Sequence, residues 1–245
     1  TLASNGTAQA VGGALTATIA GLTNGPPIQV TLQARNNSTT GPTSTTTVYA
    51  AGTPTVTSMT IASPQTAQDA VAVVATFSGN LNGPAASGLA IAGARSPAGN
   101  MACSATINGG SNTFSGTCTN ADGINGTPYT YSVTPTSTFM GVSRTGPASS
   151  QSYTPKALPS APTITGSRAT GQDGTVEITF NAGNSHDGSD MTISTSSGTY
   201  SGPKAPAQGG SVTGTITGLP NGSYNVTLTA ANSVGSATSG SYTVR

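Results

Sequence analysis

The chain has 245 residues, enough for two or three domains, and only 5% of them are Asp, Glu, Lys or Arg. Its net charge of +1 and its scattered basic residues give no basic surface for nucleic acid or anionic lipid. No run of about 18 apolar residues occurs, so the sequence predicts no transmembrane helix. The 33 glycines and 16 prolines, with abundant Ser and Thr and no Trp, are typical of an all-β protein with short strands and many turns.

A tight turn followed by an alternating strand occurs three times along the chain. Gly25, Gly126 and Gly222 each end an Asn-Gly pair, which favours a turn because both residues tolerate positive φ. After each pair, apolar and polar side chains alternate with the period of a strand. The turns lie 101 and 96 residues apart. An interval near 100 residues is too long for a solenoid or propeller unit, so it predicts repeated domains.

Three units are therefore predicted. Residues 1–52 are expected to be the C-terminal strands of a partial domain, because two N-terminal strands found in the later units are missing. Residues 53–155 and 156–245 form the second and third domains, and three prolines near the second boundary predict a semi-rigid linker. The predicted strands are residues 15–20, 28–34, 45–50, 55–61, 70–77, 89–92, 129–133, 149–153, 163–166, 175–180, 191–194, 212–217, 224–230 and 237–244.

The two cysteines, Cys103 and Cys118, flank a segment with an Asn-Gly-Gly run near its middle, so they would face each other across a hairpin. A disulfide is therefore sterically reasonable, and it would indicate an oxidising, extracellular compartment. Two free buried thiols are the alternative. No CxxC spacing occurs and the single His is distant in sequence, which argues against a metal site.

Residues 159–166, PSAPTITG, and residues 216–235, ITGLPNGSYNVTLTAANSVG, are similar to bacterial fibronectin type III domains. The resemblance covers the third domain well, the second moderately and residues 1–52 through their last strands. It implies tandem immunoglobulin-like β-sandwiches, with Tyr129 and Tyr224 as tyrosine corners and with Phe77 and Phe180 in place of the family's core Trp. The weakly charged, Ser/Thr-rich style resembles surface proteins of actinobacteria, bifidobacteria among them.

One cluster combines a His with acidic residues: His186-Asp187-Gly188-Ser189-Asp190. A weak metal or Ca²⁺ site is one interpretation, although the spacing does not match a Ca²⁺ loop and no Glu closes it. An ordinary polar turn is the other. No catalytic set is assembled, because the sequence does not place a base beside a nucleophile. We therefore expect no enzyme activity, no cofactor and no metal.

Exposed loops on a rigid scaffold are the best candidates for binding. In the second domain, Phe139, Met140 and Arg144 lie in such a predicted loop. Phe139 and Met140 either anchor a partner or fill the junction between the second and third domains, and we favour the junction. In the third domain the predicted loops are residues 184–190, 200–205 and 233–236, and the candidate residues are His186, Asp187 and Asp190.

The sequence thus favours a non-catalytic binding or adhesion module of a bacterial surface protein, secreted or attached to the cell wall. A host cytokine, a host matrix protein or a glycan is the expected partner, by analogy with other proteins of this fold alone. Nucleic acid and direct membrane insertion are not expected, and the fragment is expected to be monomeric. Two alternatives remain open, a passive spacer in a surface stalk and accessory domains of a secreted enzyme.

Overall fold

The computed structural model describes residues 18–63, 71–84, 88–97, 99–109 and 111–245. Within these ranges the regular structure consists of β-strands, so the all-β prediction is confirmed. No helix in the described residues is long and apolar enough to cross a bilayer.

The first two strands form an antiparallel hairpin, here called the N-terminal hairpin: β1 (Pro27–Arg35) and β2 (Thr40–Tyr49). Asn36 closes it, because its side-chain oxygen accepts hydrogen bonds from the backbone N–H groups of Ser38 and Thr39. Apolar residues alternate along β1, but Leu32 at its middle is 62% exposed. Of the predicted strand at residues 15–20, residues 15–17 lie outside the described residues and residues 18–20 are not in a strand.

The central sandwich follows and contains eight strands. One sheet has the order β3-β4-β7-β6, and the other has the order β5-β8-β10, with β9 also paired to β8. β5 and β6 pair at two positions, which joins the sheets along one side. On the opposite side the hydroxyls of Tyr153 and Ser63 are hydrogen-bonded at 2.9 Å. The strands are β3 (Thr55–Ala62), β4 (Val71–Asn80), β5 (Gly88–Ser96), β6 (Asn100–Ile107), β7 (Thr113–Gly123), β8 (Tyr129–Phe139), β9 (Val142–Thr145) and β10 (Ser149–Tyr153).

The C-terminal sandwich repeats this plan. Its sheets have the orders β11-β12-β15-β14 and β13-β17-β18, and β16 pairs with β19. In both sandwiches the first, second, fifth and fourth strands share one sheet. The other sheet contains β5, β8 and β10 in the central sandwich and β13, β17 and β18 in the C-terminal sandwich. When β9 and β10 are counted as one divided strand, and β16 and β17 as another, this is the strand order of a constant-type immunoglobulin domain. The strands are β11 (Thr163–Ala169), β12 (Thr175–Ala182), β13 (Thr192–Thr195), β14 (Thr199–Ser201), β15 (Gly210–Thr217), β16 (Tyr224–Val226), β17 (Leu228–Ala231), β18 (Ser236–Thr238) and β19 (Tyr242–Val244).

Each sandwich has its own hydrophobic core, formed by the inward-facing residues of its strands. Phe77 and Phe114 meet edge to face in the central core, with ring centroids 6.3 Å apart, and Phe180 is fully buried in the C-terminal core. Phe77 and Phe180 therefore supply the large buried rings of the two cores. Neither core cluster includes a residue of the N-terminal hairpin.

The prediction of a loop at residues 200–205 is wrong at its start. Tyr200 lies in β14, and its ring packs edge to face on Phe180 with centroids 6.1 Å apart. Room for the ring comes from Gly214, where an added Cβ would lie 2.5 Å from the Tyr200 ring. Tyr200 is thus a core-covering residue and not an exposed loop residue. Its partners are distant in sequence, so the local turn residues alone suggested a loop.

Candidate functional site

The His186–Asp190 cluster occupies the β12–β13 loop, and its acidic residues are engaged by the protein itself. Asp187 is 5% exposed. One carboxylate oxygen accepts from the Ser185 hydroxyl at 2.5 Å and from Ser189 N at 2.8 Å, and the other accepts from Ser233 N at 2.9 Å. Asp190 accepts from Ala207 N at 3.0 Å. Both side chains therefore fasten neighbouring loops together.

These hydrogen bonds also set the ionisation of Asp187. Burial alone would raise the pKa of this carboxyl, since it disfavours the charged form. The Ser185 hydroxyl and the Ser233 and Ser189 amides outweigh burial and lower the pKa from 3.8 to about 2. The carboxylate is consequently charged at every physiological pH.

His186 Nε2 lies 3.0 Å from the Ser160 hydroxyl, a distance suited to a nucleophile and its base. A catalytic His is usually oriented by a carboxylate, but the Asp187 oxygens are turned toward Ser185, Ser189 and Ser233. Among the described residues, no group of three His, Cys, Asp or Glu side chains could hold a metal ion. The arrangement is a clasp between the β12–β13 loop and the linker.

The linker between the two sandwiches is held along its length. Ala157 N donates to the His186 carbonyl at 3.1 Å, and the Asn232 side chain donates to the Ala157 carbonyl at 2.7 Å. Pro155, Ala157 and Pro159 are buried. A linker that is both proline-rich and hydrogen-bonded fixes the position at which the C-terminal sandwich begins.

The Asn-Gly turn before β8 completes this junction. Gly126 N donates to the Pro155 carbonyl at 2.8 Å. A Cβ added to Gly126 would lie 2.9 Å from Gly188 N, so the turn of the central sandwich touches the β12–β13 loop backbone to backbone. We call this combination of turn, linker and loop the turn–loop joint.

The same joint connects the N-terminal hairpin to the central sandwich. Gly25 N donates to the Ala50 carbonyl at 3.0 Å, and Gly52 N donates to the Asn82 carbonyl at 2.6 Å. The Asn82 side-chain amide donates a hydrogen bond to the Thr53 carbonyl at 2.7 Å. The two residues that accept from the linker, Asn82 and His186, have φ of 51° and 57°. The backbone conformation is therefore shared, although the side chains differ.

Phe139 does not lie at the junction between the second and third domains, which was the position favoured from the sequence. It ends β8, whereas Tyr129 at the other end of the same 11-residue strand lies beside the joint to the C-terminal sandwich. The Phe139 ring instead packs edge to face on Tyr49 of the N-terminal hairpin, with centroids 5.8 Å apart. The prediction failed because the direction of β8 could not be assigned to an end of the sandwich from sequence.

Residues 139–144 are also not a loop, since β8 turns directly into β9. Phe139 is paired with Val142, and the two turn residues, Met140 and Gly141, have φ of 49° and 77°. Met140 is 78% exposed and Val142 is 52% exposed, and the neighbouring Tyr49 is 43% exposed. We call Tyr49, Phe139, Met140 and Val142 the apolar tip.

Arg144 lies on β9, two residues beyond Val142. It is half-buried and opposite Ser137 in the β8–β9 register. Its charge lies near the apolar tip, but the strand and not a mobile loop fixes its backbone. Arg144 therefore lies beside the apolar tip and is not part of it.

The predicted disulfide is confirmed: Cys103 in β6 and Cys118 in β7 are bonded and lie directly opposite each other. Their Cα atoms are 4.0 Å apart, and Cys118 is fully buried. Gly93 of β5 passes over the bond, and a Cβ there would collide with the Cys103 sulfur. The bond is consistent with an extracellular location.

The two tyrosines assigned to corners each bind the backbone just before their own strand. The Tyr129 hydroxyl accepts from Ile124 N at 3.2 Å, and the Tyr224 hydroxyl donates to the Asn221 carbonyl at 3.0 Å. The Arg95 guanidinium lies 4.5 Å from the centroid of the Tyr129 ring, which adds a cation–π contact. Both tyrosines stabilise an Asn-Gly turn, and the turn held by Tyr129 is part of the turn–loop joint.

Two shallow grooves lie on the described surface. One, of about 330 Å³, is on the outer face of the central sandwich and is lined by Ser, Thr, Ala and Gly of β4, β6 and β7. The other, of about 280 Å³, is at the far end of the C-terminal sandwich between residues 169–176 and 219–224. Neither contains a His or a Cys.

Sequence reasoning missed Tyr49, Asn82 and Val142. Asn82 precedes Gly83, so an Asn-Gly pair was an available signal for a left-handed backbone. Val142 could have been found from the Met140-Gly141 pair, which suits a two-residue hairpin turn. Tyr49 carried no local signal, since its partner lies 90 residues away.

No known protein family and no curated protein matches the sequence. Among solved structures, a comparison matches the chain to the full ectodomain of mouse nectin-like molecule 4, which comprises Ig1 to Ig3. The sequences are 15% identical and the TM-score is 0.31. The match covers 79% of this chain and 64% of the ectodomain, so this chain spans less than two thirds of that protein's length. The fibronectin type III assignment and the bacterial origin stay predictions.

Proposed function

We propose that this chain is a non-catalytic extracellular module that binds a partner protein through the apolar tip. Met140 carries the proposal. It is the most exposed of the large apolar side chains among the described residues, and its backbone is left-handed. A left-handed turn favours Gly or Asn, and an exposed side chain contributes no packing. Neither the fold nor the turn therefore requires a methionine at this position, which supports a role in binding.

The neighbours of Met140 suit the same role. Phe139 and Val142 are directly opposite on the β8–β9 hairpin, and the Tyr49 ring packs edge to face on Phe139. Large apolar side chains with an aromatic anchor are the usual centre of a protein–protein contact, and Met adapts its shape to a partner. Full burial of one such side chain is worth roughly 1.5 to 3 kcal/mol.

The partner class follows from the chemistry of the tip. An apolar projection fits a hydrophobic pocket on a protein better than a glycan, whose hydroxyls need polar partners. If the chain belongs to a bacterial surface protein, secreted or wall-attached, a host cytokine or matrix protein is the expected partner.

A surface plasmon resonance screen tests the proposal. The full chain is immobilised and exposed to host matrix proteins, cytokines and a glycan panel. Saturable binding is expected to a protein, and it should be lost in the double variant Met140→Asn and Val142→Thr, which keeps the turn and the strand. Ile124→Thr is the matched control, since Ile124 is 66% exposed but lies at the other end of the sandwich. Equal binding by the double variant and the native chain would contradict the assignment.

The second candidate is a structural spacer, and the repeated turn–loop joint favours it. Both joints hold their linkers by backbone hydrogen bonds, which suits a rod that keeps another domain at a distance. A spacer needs no partner at the tip. If the chain binds no member of the panel and circular dichroism verifies its fold, the spacer is favoured over the binding module.

A further inference from the structure

The two turn–loop joints use the same pair of backbone hydrogen bonds. In each, the glycine of an Asn-Gly turn donates to a linker carbonyl: Gly25 to Ala50 and Gly126 to Pro155. In each, a linker amide then donates to a loop residue with a left-handed backbone, Asn82 or His186.

These shared bonds are made by backbone groups, so they depend on the conformation of the chain and not on particular side chains. The residues that flank it differ between the two copies, and the hydrogen-bond pattern does not. The same backbone pattern therefore occurs at both junctions of the described chain.

A third turn of this kind lies at the far end of the C-terminal sandwich. Gly222 has a φ of 133°, and the Tyr224 ring supplies the nearest atoms to a Cβ built there. At Gly126, the corresponding Cβ meets Gly188 of the next sandwich. The groove of about 280 Å³ adjoins this turn and is lined by residues 171–175, 219–222 and 244–245 among others.

We infer that the Asn221-Gly222 turn is the turn half of the same joint and receives the loop of a further sandwich with this strand order. That loop offers a residue with a left-handed backbone, as Asn82 and His186 do in the two joints of this chain. The face of the C-terminal sandwich that carries this turn is therefore a docking surface for another module of the same architecture. The inference is independent of any partner at the apolar tip.

The test extends the full chain by a second copy of residues 155–245, placed directly after Arg245. Arg245 then precedes the added sandwich as Thr154 precedes the existing one. A spin label is placed at Thr213 in both copies, an exposed position in β15. Electron–electron double resonance gives the distribution of distances between the labels. The reference is the unextended chain labelled at Thr119 and Thr213, which spans the existing joint between the sandwiches.

A docked module gives a single distance with a width close to that of the reference. Insertion of ten Gly and Ser residues after Arg245 should broaden the distribution about twofold or more, since a flexible linker no longer sets the orientation. Equal widths with and without the insertion would overturn the inference.

Two glycine variants separate docking from linker stiffness. Gly222→Ala places a methyl group where the next loop must approach, and it should broaden the distribution. Gly218→Ala is the matched control, because Gly218 is also left-handed, at a φ of 77°, but has no atom within 4 Å of an added Cβ. Thermal unfolding of both variants in the unextended chain monitors the fold. A narrow distribution retained in Gly222→Ala would show that the linker alone orients the module, and would overturn the inference.

Discussion

Asp187→Asn tests whether one buried carboxylate holds the joint end of the C-terminal sandwich. The pKa of Asp187 is lowered from 3.8 to about 2. A depressed pKa in the folded state contributes stability above the unfolded pKa, and this contribution is lost as the pH falls from about 4 to about 2. At 1.36 kcal/mol for each pKa unit, the contribution at neutral pH is roughly 2 kcal/mol.

The substitution replaces one carboxylate oxygen by an amide N–H₂ and leaves a donor, Ser233 N or Ser185 Oγ, without its acceptor. We expect the free energy of unfolding of the C-terminal sandwich at pH 7 to fall by about 2 kcal/mol. The difference from the native chain should narrow as the pH is lowered from 4 to 2, because protonation removes the same charge from the native protein.

Urea unfolding followed by two-dimensional NMR measures this prediction, since it resolves the two sandwiches. The Ala230 amide reports on the C-terminal core and the Val133 amide on the central core, which should be unaffected. Asp190→Asn is the matched control, because it removes an exposed carboxylate from the same loop. If Asp187→Asn and the native protein show the same loss of stability between pH 4 and pH 2, the reasoning is refuted.

Three further predictions concern the central sandwich. Reduction of Cys103–Cys118 should lower its stability by roughly 3 kcal/mol and leave the C-terminal sandwich unchanged, as two separate calorimetric transitions would show. Gly93→Ala should cost about 1 to 3 kcal/mol, because the new methyl group meets Met101 and the Cys103 sulfur. That loss should shrink when both cysteines are replaced by Ala, and an unchanged loss in denaturant titrations would count against the steric explanation. Met140→Gly should raise stability by about 0.5 to 1 kcal/mol by relieving the left-handed backbone, and a lower melting temperature would contradict it.

The alternation of apolar and polar side chains predicted most strands, because each sandwich buries one face of every sheet. The end of β8 was not predicted, since Pro135 normally marks the limit of a strand. In the structure Pro135 lies where β9 and β10 are separated, and its carbonyl accepts from Gly146 N at 2.9 Å. The missing proline N–H therefore faces a break in the neighbouring strand, which the local sequence does not reveal.

The predicted strand at residues 224–230 is divided for a similar reason. Thr227 N donates to the Ser196 hydroxyl at 2.9 Å, and the Thr227 carbonyl accepts from Ser196 N at 3.0 Å. Ser196, about thirty positions earlier, thus binds the chain at the point where β16 ends and β17 begins. The turn–loop joint was not predicted for the same reason, since it depends on residues that are distant in sequence. Gly126 and Gly188 meet only when the two sandwiches are stacked.

The strand order has a mechanical consequence. A pulling force along the chain enters the central sandwich through β3 and leaves through β10, which are paired to β4 and β8. A pull from opposite ends shears these antiparallel ladders, so their hydrogen bonds are loaded together and not opened one after another. Once the sandwich unfolds, the disulfide prevents the segment from Cys103 to Cys118, a sequence separation of 15, from being extended. An oxidised chain is therefore about 50 Å shorter at full extension than a reduced one.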